Sequence, residues 1–237
     1  MSIDNKKKVL DFWKARALKN TSKKVKNSAN LEDDPELSKL KIKLENKKVS
    51  QYIMKTNLSG HALDLGSGFG YWSLEISKYY DSVTGVDFCK EMTDRAIEVL
   101  QDSQNKKIKF ICSEAQNFLE TEKKFNFVFI SGLLIYLNNI ALKKLINNIN
   151  SYTSKDAYIV LRDGTAVDSE YEIKNRFSEN LQADYSALYR TRQSYIENFR
   201  EGGFKLLKDE NMFDEGNILN KFKETRLRIY LFKKCSI

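Results

Sequence analysis

The residues best placed for chemistry are Leu63-Asp64-Leu65-Gly66-Ser67-Gly68-Phe69-Gly70. An apolar run precedes this glycine turn and a helical pattern follows it. That context lets a ligand approach the backbone, because glycine has no side chain to block it. The glycines are spaced GxGxG, at 66, 68 and 70. A dinucleotide fingerprint, GxGxxG, would need its third glycine at 71, where this chain has Tyr71. A second feature supports ligand binding. Val83-Thr84-Gly85-Val86-Asp87 ends on an acid twenty-one positions after Gly66. A carboxylate there can accept both hydroxyls of a ribose.

Alternating strands and helices are needed to position these groups. Apolar strands are expected at 61–65, 83–87, 108–112, 125–130 and 157–162, with helices over 71–79, 90–101 and 138–150. Such alternation implies a parallel sheet covered on both faces. A helix at 192–202 stops at Gly202-Gly203, and strands at 204–209 and 226–233 read as a terminal hairpin. Ahead of this core, residues 1–56 read as a helical cap. An amphipathic stretch covers 6–19, a polar hinge or lid covers 20–32, and a helix starts at Asp34-Pro35-Glu36. Residues 57–237 read as the main domain, with an insertion rich in Tyr and Arg at about 165–191.

Composition narrows the chemistry. The chain has 237 residues, 41% hydrophobic and 30% charged, a globular balance. No apolar run approaches the roughly 18–20 residues needed to span a bilayer. The charged start, Met1 to Trp13, lacks the apolar stretch of a signal peptide, so a cytoplasmic protein is expected. His61 is the one histidine and the cysteines are three, Cys89, Cys112 and Cys235. That inventory argues against a disulfide framework, a zinc site and histidine-based triads. His61 precedes the first strand, opposite to the end where ligands bind, and reads as a surface or packing residue. The net charge of +8 is spread among acids and favours a solvated surface over a nucleic-acid patch.

With these motifs in place, the sequence resembles the class I S-adenosylmethionine-dependent methyltransferases. Leu63–Gly70 matches their first motif and Val86-Asp87 the acid after the second strand. Phe110–Ala115 is similar to the segment flanking the adenine, and Phe127–Gly132 to the motif beside the methionine end. The resemblance implies a Rossmann-like, doubly wound, mostly parallel seven-stranded sheet with an antiparallel last strand. It also implies roles by position. Gly66, Ser67, Gly68 and Gly70 line the methionine portion, Asp64 orients its amino group, and Asp87 holds the ribose. Phe88 and Met92 pack on the adenine, Glu114 and the Ala115 backbone face its amino group, and Ser131 sits near the sulfonium. Enzymes of this family often lay an N-terminal helix over the cofactor, so Trp13 and Arg16 are expected to close on the methionine end.

Methyl transfer is an in-line displacement at carbon. The protein mainly aligns donor and acceptor, and proximity alone is worth about 7–11 kcal/mol. A general base is needed only for a protonated acceptor. Candidates for the acceptor side are Tyr136 after the fourth strand and Arg162 and Asp163 at the end of the fifth. From the insertion, Tyr185, Tyr189, Arg190 and Arg192 are the substrate-binding candidates. As a group, Arg and Tyr point to an acceptor that is anionic or aromatic. Ile130-Ser131-Gly132-Leu133 stands where base-modifying amino-methyltransferases carry an acid- or Asn-Pro-Pro-aromatic motif, which counts against exocyclic amines of nucleic acid. Only Asp163 stands where metal-dependent catechol-type enzymes place their ligands, so no metal is expected. The leading expectation is methylation of a small molecule at O or N. An RNA methyltransferase is the alternative.

Overall fold

The computed structural model describes residues 3–19, 32, 34–101, 105–120, 122–178 and 183–235, with the side chains of 3–5, 19, 174–178 and 183–185 left aside. Among these, α1 spans Ile3–Lys19, α2 Pro35–Ile53, β1 His61–Leu65, α3 Tyr71–Ile76, β2 Ser82–Asp87, α4 Lys90–Gln101, β3 Ile108–Cys112 and β4 Phe125–Ser131. A short 3-10 turn at Leu134–Tyr136 leads into α5 (Asn139–Tyr152). There follow β5 (Thr153–Ala166), β6 (Tyr171–Ser178), β7 (Ala183–Thr191), α6 (Arg192–Glu201), β8 (Phe204–Asn211) and β9 (Thr225–Lys234).

The central path runs β3-β2-β1-β4-β5, all parallel. On its far side β9 pairs antiparallel with β5 from Tyr158↔Lys233 to Ala166↔Thr225, and β8 pairs antiparallel with β9. Those seven strands are the mostly parallel sheet with an antiparallel return that was expected. Among the described residues there are nine strands, however, not seven. The expected insertion at 165–191 is itself an antiparallel hairpin, β6 with β7, joined in parallel to the end of β5 at Thr165↔Arg190 and Ala166↔Thr191. β5 makes this possible by running past the expected end at 162 to Ala166.

Strand periodicity sorts the core into two layers. In β4, Val128 and Ile130 face Leu142, Ile146 and Ile149 of α5 and Phe199 of α6. Phe127 and Phe129 face the opposite way, toward Val49, Tyr52 and Ile53 of α2 and Trp72 and Ile76 of α3. Thus α2, expected as part of the cap, is a core helix. Its start follows the expected logic: Asp34 Oδ1 accepts from Glu36 N and Leu37 N at 2.8 and 2.9 Å, and Pro35 takes the first position. α1 stands apart from both layers. It packs on α4 and β7, with Leu10, Trp13 and Ala17 against Phe69, Phe88, Cys89 and Met92. Residues 20–31, most of the expected lid segment, lie outside the described residues. No helix among the described residues is long and apolar enough to cross a membrane.

Candidate active site

β1, β2 and β4 end together, and their carboxyl ends open into a cleft of about 240 Å³. The glycine turn forms the floor. It is anchored where Gly66 N and Ser67 N both donate to Val86 O, at 2.8 and 3.1 Å. Gly68 lines the cleft with φ +52°, a left-handed conformation that glycine adopts without strain. Gly70 (φ +79°) starts α3 as its N-cap, and a Cβ there would lie 2.5 Å from Phe110 Cζ.

Asp87 ends β2 beside this turn. Its Oδ2 accepts from Gly68 N at 2.9 Å and its Oδ1 from Cys89 N at 2.9 Å. Burial pushes its carboxyl above the ordinary value, and the hydrogen bonds from Cys89, Gly68 and Phe88 N–H groups oppose that rise. Phe88 and Met92 line the same side. Glu114 and Ala115 line the next wall. Glu114 already holds three donors: Lys6 Nζ, Gln116 Nε2 at 2.6 Å and Asn117 Nδ2 at 2.9 Å. Ser131 closes β4, lines the cleft and accepts from Arg162 Nη1 at 2.9 Å.

Beneath the turn, Asp64 is fully buried and accepts from Ser73 Oγ at 2.6 Å. Desolvation raises its pKa to about 7, with the Ser73 hydrogen bond acting the other way. Asp64, Ser67 and Gly70 shape the turn from behind and are not among the lining residues.

The roof is α1. Lys6, Val9 and Trp13 recur at helical spacing on one face and line the cleft. Trp13 meets Tyr136 edge-on, with ring centres 6.1 Å apart and planes at 87°. Arg16 lies outside this lining. The far wall is the segment from Gly132 to Asn138 with Ala141. Leu133, Leu137, Asn138, Lys6 and Val9 were not singled out by sequence reasoning. Lys6 reads as a solvated charge and the leucines as core. The signal available was the i, i+3, i+7 spacing of Lys6, Val9 and Trp13.

Several acceptor-side expectations need correction. Arg162 is 2% exposed and does not line the cleft. Its Nη2 pairs with the buried Glu45 at 2.5 Å. Asp163 is fully buried, accepting from Leu134 N at 2.6 Å and Gly164 N at 2.8 Å, and burial raises its pKa to about 6. Arg190 is also fully buried and is spent on Leu134 O, Leu137 O and Asn139 Oδ1. Arg192 makes a bidentate pair with Asp209 at 2.7 Å. Tyr189 packs on Tyr171, with 6.1 Å between ring centres, and over Gly164. The Tyr185 side chain lies outside the described residues. The arginines satisfy internal acceptors, so they lend no support to an anionic acceptor. Tyr136 alone of the three catalytic candidates lines the cleft. His61 stands at the opposite end of β1, with Nδ1 2.7 Å from Ser82 Oγ, as expected of a packing residue. Among the described residues no cluster of metal-ligating side chains occurs.

Residues 62–156 match a family model described as a methyltransferase domain. No curated protein matches the chain by sequence. Solved structures share the fold at low identity. The Haemonchus contortus phosphoethanolamine N-methyltransferase 1, in complex with phosphoethanolamine and S-adenosylhomocysteine, is 18% identical with a TM-score of 0.76, over 100% of this chain and 50% of that one. DhpI in complex with S-adenosylhomocysteine is 15% identical with a TM-score of 0.69, over 100% and 99%. The Synechocystis PCC 6803 magnesium protoporphyrin IX methyltransferase, with S-adenosylmethionine bound, is 15% identical with a TM-score of 0.67, over 98% of both chains. Residues 62–156 thus resemble a methyltransferase domain, and the chain shares its fold with these methyltransferase structures.

Proposed function

We propose that this protein moves a methyl group from S-adenosylmethionine to an oxygen or nitrogen of a small molecule, in the cleft between the glycine turn and α1. One observation carries the reading. The left-handed Gly68 backbone and the Asp87 carboxylate meet at the carboxyl ends of the parallel strands, under a roof of Lys6, Val9 and Trp13.

The lining suits the ligand. Asp87 retains acceptor capacity for ribose hydroxyls beyond its two backbone partners. Phe88 and Met92 offer apolar faces to the adenine, and Glu114 and Ala115 face its edge. Gly66 and Gly68 leave room for the methionine portion, and Ser131 stands at the sulfonium end. Bound there, S-adenosylmethionine supplies a methyl group already activated as a sulfonium.

The chain's own residues bind, orient and exclude water. Trp13 and Tyr136 wall the acceptor side, and an aromatic face there favours a developing or resident cation. Tyr136 is the side chain placed to hold the acceptor. Alignment supplies much of the rate, and an acceptor that carries a proton releases it to solvent as the methyl group transfers.

Calorimetric titration with S-adenosylhomocysteine, with NADH as control, tests the reading. Micromolar binding of the first and none of the second is expected, followed by transfer of labelled methyl to a small-molecule extract. Binding of NADH with none of S-adenosylhomocysteine would overturn it.

A further inference from the structure

The turn that carries Tyr136 is held from both sides. Asp163, at the end of β5, accepts the Leu134 N–H with Oδ2 at 2.6 Å and steadies itself through Oδ1 on Gly164 N at 2.8 Å. Arg190, at the end of β7, donates to carbonyls at both ends of the turn. Its Nη1 reaches Leu134 O at 2.9 Å and its Nη2 reaches Leu137 O at 2.6 Å. Nε and Nη2 also hold Asn139 Oδ1 at 3.1 and 2.9 Å. Both side chains are fully buried. A carboxylate and a guanidinium are costly to bury unless their partners are fixed. Here the partners include three main-chain groups of one short turn.

That turn does more than connect β4 to α5. Its flanks, Leu133 and Leu137, and its Tyr136 line the cleft. Leu133 presses on the glycine turn, where a Cβ on Gly66 would lie 3.3 Å from Leu133 Cβ. Tyr136 meets Trp13 of the roof. The hairpin that supplies Arg190 also packs on α1. One segment therefore touches the floor, the far wall and the roof of the site.

We propose that Asp163 and Arg190 are positioning residues that clamp the Leu134–Leu137 turn and, through Leu133 and Tyr136, set the geometry of the methyl-transfer cleft. The proposal rests on reading the cleft as the S-adenosylmethionine site. It assigns the β6–β7 hairpin a role in that site without contact to either ligand.

The test is a double-mutant cycle on the full chain. Asp163→Asn keeps the shape but cannot accept both N–H groups, and Arg190→Lys cannot reach both carbonyls. Each is combined with Tyr136→Ala. The readouts are the S-adenosylhomocysteine dissociation constant and Trp13 emission in a Trp72→Phe background, both well below the melting temperature. Each single variant is expected to weaken S-adenosylhomocysteine about tenfold, the loss of one charge-assisted hydrogen bond, and to shift Trp13 emission. In the Tyr136→Ala background the further loss should shrink to within about twofold, because the two changes act through one turn. Unchanged affinity and emission in variants that merely melt earlier, or losses that add in full, would overturn the clamp. If either variant does not fold, Asn139→Ala replaces it, expected to weaken binding about threefold through the lost acceptor. Wild-type protein that does not bind S-adenosylhomocysteine would instead remove the reading of the cleft, and the clamp with it.

Discussion

Glu45 of α2 and Arg162 of β5 form an ion pair at 2.5 Å with side chains 0% and 2% exposed. Arg162 spends a second nitrogen on Ser131 Oγ, so this pair ties α2 to the lip of the cleft. Lys41 stands 3.9 Å from the same Glu45 oxygen, and burial lowers its pKa. Removing one partner leaves the other charged without compensation, which typically costs about 3–5 kcal/mol. Glu45→Ala should therefore lower the urea midpoint by about that free energy, whereas Glu45→Leu with Arg162→Met should recover most of it. A single variant as stable as wild type would show that the pair is not formed in solution.

Asp87 supplies the cleft with a carboxylate whose backbone partners fix its orientation. Charge-assisted hydrogen bonds are worth about 1.5–3 kcal/mol each. Asp87→Ala should weaken S-adenosylhomocysteine by roughly a hundredfold in calorimetric titration. A change below about threefold would exclude ribose recognition by this residue.

The pH dependence of stability has a defined sign. Burial raises the Asp64 carboxyl from 3.8 to about 7 and Asp163 to about 6. The folded chain keeps a proton that the unfolded chain has released between about pH 4 and 7, so these groups lower stability as pH rises through that window. Above pH 7 the Asp64 contribution is flat. Relative to wild type, Asp64→Asn should gain stability from pH 4 to 7 and hold that gain at pH 8. Equal slopes in the two proteins, measured by urea unfolding at a series of pH values, would show that Asp64 is ionised when buried.

Gly70 has no room for a methyl group. Its φ of +79° is left-handed, and its Cβ would strike the Phe110 ring. Gly70→Ala should cost about 1–3 kcal/mol of stability from the backbone alone, and the displaced Phe110 should weaken S-adenosylhomocysteine as well. Thermal melting with and without ligand separates the two effects.

The parts of the site that were legible in the sequence are those governed by local chemistry. A turn needing left-handed backbone announces itself by Gly68 and Gly70, and an acid at a strand end announces itself by Asp87. The apolar face of α1 was readable through Val9 and Trp13. The buried arginines were not. Arg162 and Arg190 lie at strand ends where ligands bind, and nothing local reveals partners such as Glu45, 117 positions away, or main-chain carbonyls. Periodicity also hid the hairpin. Tyr171, Ile173 and Phe177 alternate as in a strand, but the polar residues between them read as an insertion. For the same reason α2 looked like a cap, since Val49, Tyr52 and Ile53 form a stripe too short to tell core from cover.

The docking of α1 is the lightest in the site. This helix rests on a small apolar cluster and on two pairs at the rim, Lys6 with Glu114 and Lys14 with Glu91, all with side chains more than a quarter exposed. Pairs of that kind contribute at most about 1 kcal/mol each and weaken as salt screens them. The cover of the cleft is therefore the part of the fold whose docking responds most to ionic strength.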